Sequence, residues 1–329
     1  MTSVPSVPSV AKSVCAAAIA LTLGGPADSL AQNYPERPVR LVIALAAGGS
    51  ADIVGRLLAQ KLSEALGQQF VVDNRPGAAG VIGAEIAARA PRDGYTLLLA
   101  GSSFGSAPAL NRKLPYDPLK DLAPITMPAT APGLLVVHPA LPVRTVRELI
   151  DLARAKPGQL NYGSPGNGTA PHFAGALFNM LAGTDTVHVP YKGAANVVID
   201  VIAGQIQLSF ASMPSAITQA KAGKVRAIAV TGAKRSPAVP ELPTVAETVP
   251  GFESGSWQGM FAPAGTPAAI IRRLNREVAR IVHLPDVVTQ LAKDGSEPVG
   301  NTSEEFAQWL PGELAKWAKV AKAARMHVE

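Results

Sequence analysis

Two short stretches of this 329-residue chain combine the residue types that hold an anion. One is Ala47-Gly48-Gly49-Ser50-Ala51-Asp52, and the other is Gly163-Ser164-Pro165-Gly166-Asn167-Gly168-Thr169. Glycine admits backbone conformations closed to other residues, so consecutive N–H groups can turn toward one point. A helix that starts there adds about half a positive charge. Ser50, Ser164 and Thr169 add hydroxyl donors. A single turn of this kind suits a carboxylate or a phosphate. Two, in separate halves of a molecule, can grip one anion from both sides. No acid–base pair or metal-ligand set adjoins either turn in the sequence.

A third stretch, Gly101-Ser102-Ser103-Phe104-Gly105, fits G-x-S-x-G, the nucleophile pattern of α/β-hydrolases. That chemistry needs a strand running directly into a helix. Pro108 and the segment Asn111-Arg112-Lys113-Leu114-Pro115-Tyr116-Asp117-Pro118 predict an interruption instead. The histidines that follow, His138, His172, His188, His283 and His327, stand in no distinctive context, and no HGGG-type oxyanion segment occurs. A periplasmic serine hydrolase using this turn is the alternative reading.

The elements that must position the turns follow from periodicity. Val39–Ala44 reads as a buried strand. Ile53, Leu57, Leu58, Leu62 and Leu66 then recur at helical spacing, and Gly67 stops the helix. Phe70–Val72, a helix over Val81–Ala88 and a strand at Thr96–Ala100 complete a βαβαβ unit, which implies a parallel sheet covered by helices. Thr145–Ala155 is a third helix, with Thr145 and Glu148 spaced as a capping box. Leu160–Tyr162, a stripe of Phe173, Leu177 and Leu181, Val187–Val189, Val197–Ala203, Gln207–Phe210 and Val225–Val230 continue the alternation. The uncharged stretch 122–143 holds Pro124, Pro128, Pro132, Pro139 and Pro142, which predicts a loop followed by a strand at Leu134–Val137. Two amphipathic helices end the chain. One has Ile270, Leu274, Val278, Ile281 and Val282 on a face, and the other Leu310, Leu314, Trp317 and Ala321. Lys316, Lys319 and Lys322 read as a solvated face of the latter.

Hydrophobic residues make up 47% of the chain, which excludes intrinsic disorder. The net charge of +6 is dispersed, with no Lys/Arg run longer than Arg272-Arg273, so a nucleic-acid partner is not indicated. Residues 1–31 have the three parts of a secretory signal. Lys12 precedes the uncharged run Val14–Leu23, and Ser29-Leu30-Ala31 places small residues at the cleavage positions. Cleavage is expected after Ala31. The single cysteine, Cys15, leaves with the signal, so the mature chain has no disulfide, thiol chemistry or cysteine-held metal. These features suit the bacterial periplasm. No nucleotide-binding loop, haem motif or metal-ligand set is present, and no cofactor is expected.

Ordered motifs along the whole mature chain sharpen this reading. They are Tyr34-Pro35-Glu36-Arg37-Pro38-Val39, Gly48-Gly49-Ser50-Ala51-Asp52, Asn74-Arg75-Pro76-Gly77-Ala78-Ala79-Gly80 and Asp93-Gly94-Tyr95-Thr96-Leu97. Tyr116-Asp117-Pro118, Lys156-Pro157-Gly158, Ser164–Thr169 closed by His172, His188-Val189-Pro190-Tyr191-Lys192-Gly193 and Phe261-Ala262-Pro263-Ala264-Gly265-Thr266-Pro267 follow. In these motifs the chain resembles the substrate-binding family of tripartite tricarboxylate transporters, also called the Bug family of periplasmic solute receptors. The resemblance covers residues 32 to 325.

The resemblance implies an α/β, two-lobed type II periplasmic-binding-protein fold, the Venus flytrap, with a mostly parallel sheet in each lobe. Lobe one would be 32–104 plus 225–329 and lobe two 105–224, with crossings near Ser102–Ser106 and Gly223. It implies a carboxylate ligand held by Gly48, Gly49, Ser50 and Asp52 of the first turn and by Ser164, Gly166, Gly168, Thr169 and His172 of the second. Ser50 and Thr169 would donate to the ligand. Asp52 repels an anion and is expected to cap its helix, and His172 to brace its loop. Ser102 and Ser103 at the crossing, with Tyr191 and Lys192, would line the cleft. Ala211 stands where the family often carries an acid, so a plain carboxylate is expected rather than an amino acid. The implied partners are membrane permease subunits of a tripartite transporter or a sensor kinase, met by a monomeric receptor.

Overall fold

The computed structural model describes residues 1–2, 33–110, 113–293 and 295–326. The body of the expected signal and its cleavage point after Ala31 lie outside the described residues.

The chain begins with the expected βαβαβ unit. Strands β1 (Val39–Ile43), β2 (Phe70–Asn74) and β3 (Thr96–Gly101) pair in parallel in the order β2-β1-β3. Helix α1 (Ser50–Leu66) joins the first two, and α2 (Val81–Ala88) precedes the third. In α1 the apolar spacing buries Val54, Leu58 and Leu62, each leucine contributing about 2 kcal/mol by leaving water. Gly67 ends the helix in the left-handed conformation, with its N–H on Ser63 O. Helix α3 (Ser103–Leu110) follows β3 after one residue.

Strand β4 (Leu122–Val137) departs from expectation. Where the prolines predicted a loop, one strand runs through two sheets. Its first half pairs antiparallel with β9 (Gly255–Pro263) and, at Ala129 and Thr130, with β10 (Glu297–Pro298). Its second half, Gly133–Val137, pairs antiparallel with β7 (Leu208–Ser212) and β8 (Arg226–Val230). The β4–β9 register shifts between Pro124 and Thr126 and again between Thr126 and Ala129. Pro124 and Pro128 thus fall at ladder irregularities, where a missing N–H costs little, and Pro132 at the end of the β9 ladder.

The second half of the molecule repeats the α/β alternation with helices α4 (Val146–Ala155), α5 (Ala170–Ala182), α6 (Ala194–Ile202) and α7 (Met213–Lys221). Strands β5 (Asn161–Ser164) and β6 (Val187–Pro190) extend β7 in parallel. Thr145 caps α4 as expected, accepting from the Glu148 N–H. The Glu148 carboxylate reaches past it to the Arg144 N–H instead of closing the box. The chain ends with α8 (Ala268–Val282), α9 (Pro285–Lys293) and α10 (Ser303–Ala323). Helix α10 spans both halves. Phe306 and Leu310 pack in the first, and Trp317, Val320 and Ala321 in the second.

The sheets are mixed, and not mostly parallel. Parallel strands form the outer parts, and antiparallel β4, β8 and β9 form the middle. The changeover between sheets also lies elsewhere than the expected boundaries at 105 and 224. It comes at Pro132/Gly133 inside β4, and again at Ser254/Gly255. Val225, Val230, Val239, Val245 and Phe252 all pack with the second half. Thr231 ties the two crossings together. Its Oγ1 accepts the Gly133 N–H at 2.7 Å, and its carbonyl accepts the Ser254 N–H at 2.9 Å. Only glycine fits at 133, since a Cβ there would stand 2.7 Å from the Ala211 carbonyl oxygen.

Candidate functional site

The first turn leaves the carboxyl end of β1 and enters α1 at Ser50, with Gly49 as the extended N-cap residue. Gly48 needs its glycine, since φ is +82°. Asp52, buried in the first helical turn, holds the loop. Its Oδ2 accepts the Gly48 N–H at 2.9 Å and Arg56 Nε at 3.0 Å, and its Oδ1 accepts Asn74 Nδ2 at 2.9 Å. Asn74 also donates to the Leu45 carbonyl. Burial raises the Asp52 pKa, but the hydrogen bonds from Arg56, Gly48 and Asn74 outweigh it and hold the carboxyl below its ordinary value. Asp52 therefore braces the loop ahead of the helix rather than capping a helical N–H as expected, and the Gly48 N–H, expected on the ligand, is taken up by it. The N–H groups of Gly49, Ser50 and Ala51 make no hydrogen bond among the described residues.

The second turn leaves the carboxyl end of β5 and enters α5 behind Thr169, its N-cap. Most of the hydroxyls expected to reach outward are engaged within the loop. Ser164 is fully buried; its Oγ accepts the Gly166 N–H and lies 2.6 Å from His188 Nε2. Thr169 Oγ1 donates to Gly166 O at 2.7 Å. The Gly168 N–H donates to His172 Nδ1 at 3.1 Å, so His172 braces the loop. The His172 and His188 rings stack 3.7 Å apart and 10° from parallel. Burial, and for His172 also the charge of His188, pushes both imidazoles down to about 4, so both are neutral at neutral pH. The N–H groups of Asn167, Ala170 and His172 make no hydrogen bond among the described residues.

Other expected residues take distinct places. The Tyr191 N–H bonds Ser164 O at 2.9 Å, which sets the loop into α6 beside the second turn. The Tyr191 hydroxyl donates to Asp200. Lys192, next in the chain, is exposed. Ser102 and Ser103 stand where β3 meets α3, and the strand does run into a helix despite Pro108, which the helix contains. Neither hydroxyl bonds a histidine among the described residues, whereas a serine nucleophile needs an adjacent base. Helix α3 instead reaches from the end of β1 to the second turn. Ser103 Oγ lies 3.7 Å from where a Cβ on Gly80 would stand, beside Ala44 at the end of β1. One helical turn on, Ser106 Oγ lies 3.5 Å from Gly168 O of the second turn.

A small cavity of about 60 Å³ adjoins the start of α5. Ala170, Pro171 and Ala174 form one wall, Phe210, Ala211 and Ser212 another, and Ser254, Gly255 and Ser256 the crossing side. No charged residue lines it.

Gln258 was not anticipated. It sits on β9 opposite Gly101 and Ala129, is 2% exposed, and donates from Nε2 to Ser50 Oγ at 3.3 Å. A lone amide inside a largely apolar strand is the signal available in the sequence.

Known proteins resemble this chain in sequence and fold. The family model described as "Tripartite tricarboxylate transporter family receptor" matches residues 54–326. Protein BugT of Bordetella pertussis is 35% identical over 304 residues, covering 92% of this chain and 93% of its own. Among solved structures, R. palustris Rpa4515 with adipate is 38% identical with a TM-score of 0.75, covering 90% of this chain and 100% of that one. MatC from Rhodopseudomonas palustris with bound malate is 32% identical with a TM-score of 0.71, covering 87% and 99%. With a family match over most of its length and relatives above 30% identity across nearly all of it, the chain belongs to the tripartite tricarboxylate transporter receptor family.

Proposed function

We propose that this protein is a solute receptor that captures a small organic carboxylate between its two strand-to-helix turns. The observation that carries this reading is the two sets of N–H groups without a partner among the described residues, at Gly49–Ala51 and at Asn167, Ala170 and His172, each at a helix start. A carboxylate supplies the acceptors these donors lack, and the two helix termini favour its charge. The relatives with adipate and malate bind ligands of this chemistry. The cavity wall containing Ala211 offers no negative charge to an ammonium group, which favours a plain di- or tricarboxylate over an amino acid.

A ligand held by both halves favours the form in which they approach, and the crossings at Pro132/Gly133 and Ser254/Gly255 are where the halves meet. The ligand-bound receptor then presents itself to the membrane subunits of a tripartite transporter, in the periplasm that its relatives occupy.

A thermal-shift screen against carboxylates tests the reading. A ligand at a hundred times its dissociation constant adds ~2.7 kcal/mol of stability, which reads as an upward shift of several degrees in Tm. No shift with any mono-, di- or tricarboxylate, or a shift with amino acids alone, would defeat the proposal.

A further inference from the structure

Met260 and Ala262 of β9 belong to the apolar cluster that packs beneath α1. By the two-residue period of a strand, Gln258 lies on the same face, at the point where that face meets the first turn. Its Oε1 is buried without a hydrogen-bond partner among the described residues. A buried carbonyl oxygen left unpaired weakens a fold, so packing alone does not account for an amide here. The other amide atom is engaged. Nε2 donates to Ser50 Oγ, and because an amide nitrogen cannot accept, the hydrogen of the Ser50 hydroxyl must point elsewhere. Ser50 sits within the run Gly49–Ala51, whose three N–H groups are unpartnered.

We infer that Gln258 is a positioning residue that sets the polarity of the Ser50 hydroxyl, so that the first turn offers a carboxylate donors only. The inference rests on the carboxylate reading given above. Without Nε2 on its lone pair, the Ser50 hydroxyl is free to donate to a nearby carbonyl or to water and to turn a lone pair toward the anion. An acceptor in the same place does worse. It takes the Ser50 hydrogen for itself, and as a carboxylate it adds a repelling charge.

The test is titration calorimetry of succinate, malate, adipate and citrate into the wild-type protein and four variants, with the Tm of each ligand-free protein. The variants are Ser50→Ala, Gln258→Leu, Gln258→Glu and the double Ser50→Ala/Gln258→Leu. Gln258→Leu should melt at or above the wild type, because the orphaned oxygen is gone. It should bind the tightest of the four acids roughly five- to tenfold more weakly, the scale of one misdirected hydrogen bond to a charged group. Gln258→Glu should lose more than about tenfold. In the double variant the loss should match that of Ser50→Ala alone, because Gln258 acts through that hydroxyl. If Gln258→Leu does not fold, Gln258→Met replaces it in both roles. A Gln258→Glu protein that binds as tightly as wild type overturns the inference and leaves the receptor reading intact, as does a double variant whose loss is the full product of the single losses. A wild type that binds none of the four acids removes the receptor reading and this inference together.

Discussion

Asp52 and the His172–His188 pair stand in equivalent places, one behind each turn, and hold the backbone by opposite electrical means. The first brace is a buried carboxylate that accepts from the Gly48 N–H, Arg56 and Asn74. The second is a neutral imidazole that accepts from the Gly168 N–H while stacked on another neutral ring. In both, an acceptor behind the loop takes up one glycine N–H, while the N–H groups of Gly49 and of Asn167 beside it make no hydrogen bond among the described residues. The chemistry of the brace is therefore interchangeable, but its response to acid is not.

The largest effect is expected from the charged brace. Asp52→Ala removes three hydrogen bonds at once and lets the Gly48 loop relax. Arg56 is half exposed and can return to water, so no buried charge is stranded. The loss should be about 2 kcal/mol of stability, together with carboxylate affinity at least tenfold below wild type. Denaturant unfolding and calorimetry measure the two. A variant that keeps full affinity would show that the first turn is rigid without its brace.

Acid separates the two turns. The imidazole pKa values are depressed to about 4 from an ordinary 6.5, so between those values the unfolded chain binds more protons than the folded one. Stability from the neutral pair is therefore complete above about pH 6.5 and is lost as pH falls toward 4. The Asp52 pKa is also depressed, but from an ordinary 3.8, so its contribution survives until pH drops below that value. Wild-type Tm and carboxylate affinity should both decline between pH 6.5 and 4. His172→Phe keeps a ring in the stack but no acceptor for Gly168. It should bind several-fold more weakly at pH 7 and show a flatter acid response. An unchanged slope would place the titration elsewhere.

How much of this was legible in the sequence also differs between the turns. At the first turn, Asp52 as an acceptor for nearby N–H groups is legible from its place two residues past the helix start, but its choice of Gly48 and the contact of Gln258 with Ser50 are not. The second was read for donors that the structure engages internally. The partner of Ser164 is His188, twenty-four residues on, and that of Gly168 is His172, whose ring is oriented by the His188 stack. Those pairings depend on β5 and β6 lying side by side, which local spacing does not encode. The same limit explains the misplaced crossings. Pro124, Pro128 and Pro132 look like breakers in isolation, and only the pairing with β9 shows how one strand carries them, the first two at register shifts and the third at the ladder's end. Gln258 needed the antiparallel placement of β9 beside β3 before its contact with Ser50 could exist.

The smallest effect is expected at the rim. Lys192 is exposed beside the second turn, and its charge can draw an anion only through water. At ~0.15 M salt the screening length is ~8 Å, so the attraction fades within a few residues. Lys192→Ala should weaken carboxylate binding no more than about twofold, in line with the ~0.2–1 kcal/mol of exposed ion pairs. The change should sit in the association rate and disappear as salt is raised. Stopped-flow binding at low and high ionic strength measures this. A large, salt-independent rise in the dissociation rate would instead place the ammonium group on the ligand itself, and the second turn would then hold its anion with a charge as well as with the backbone.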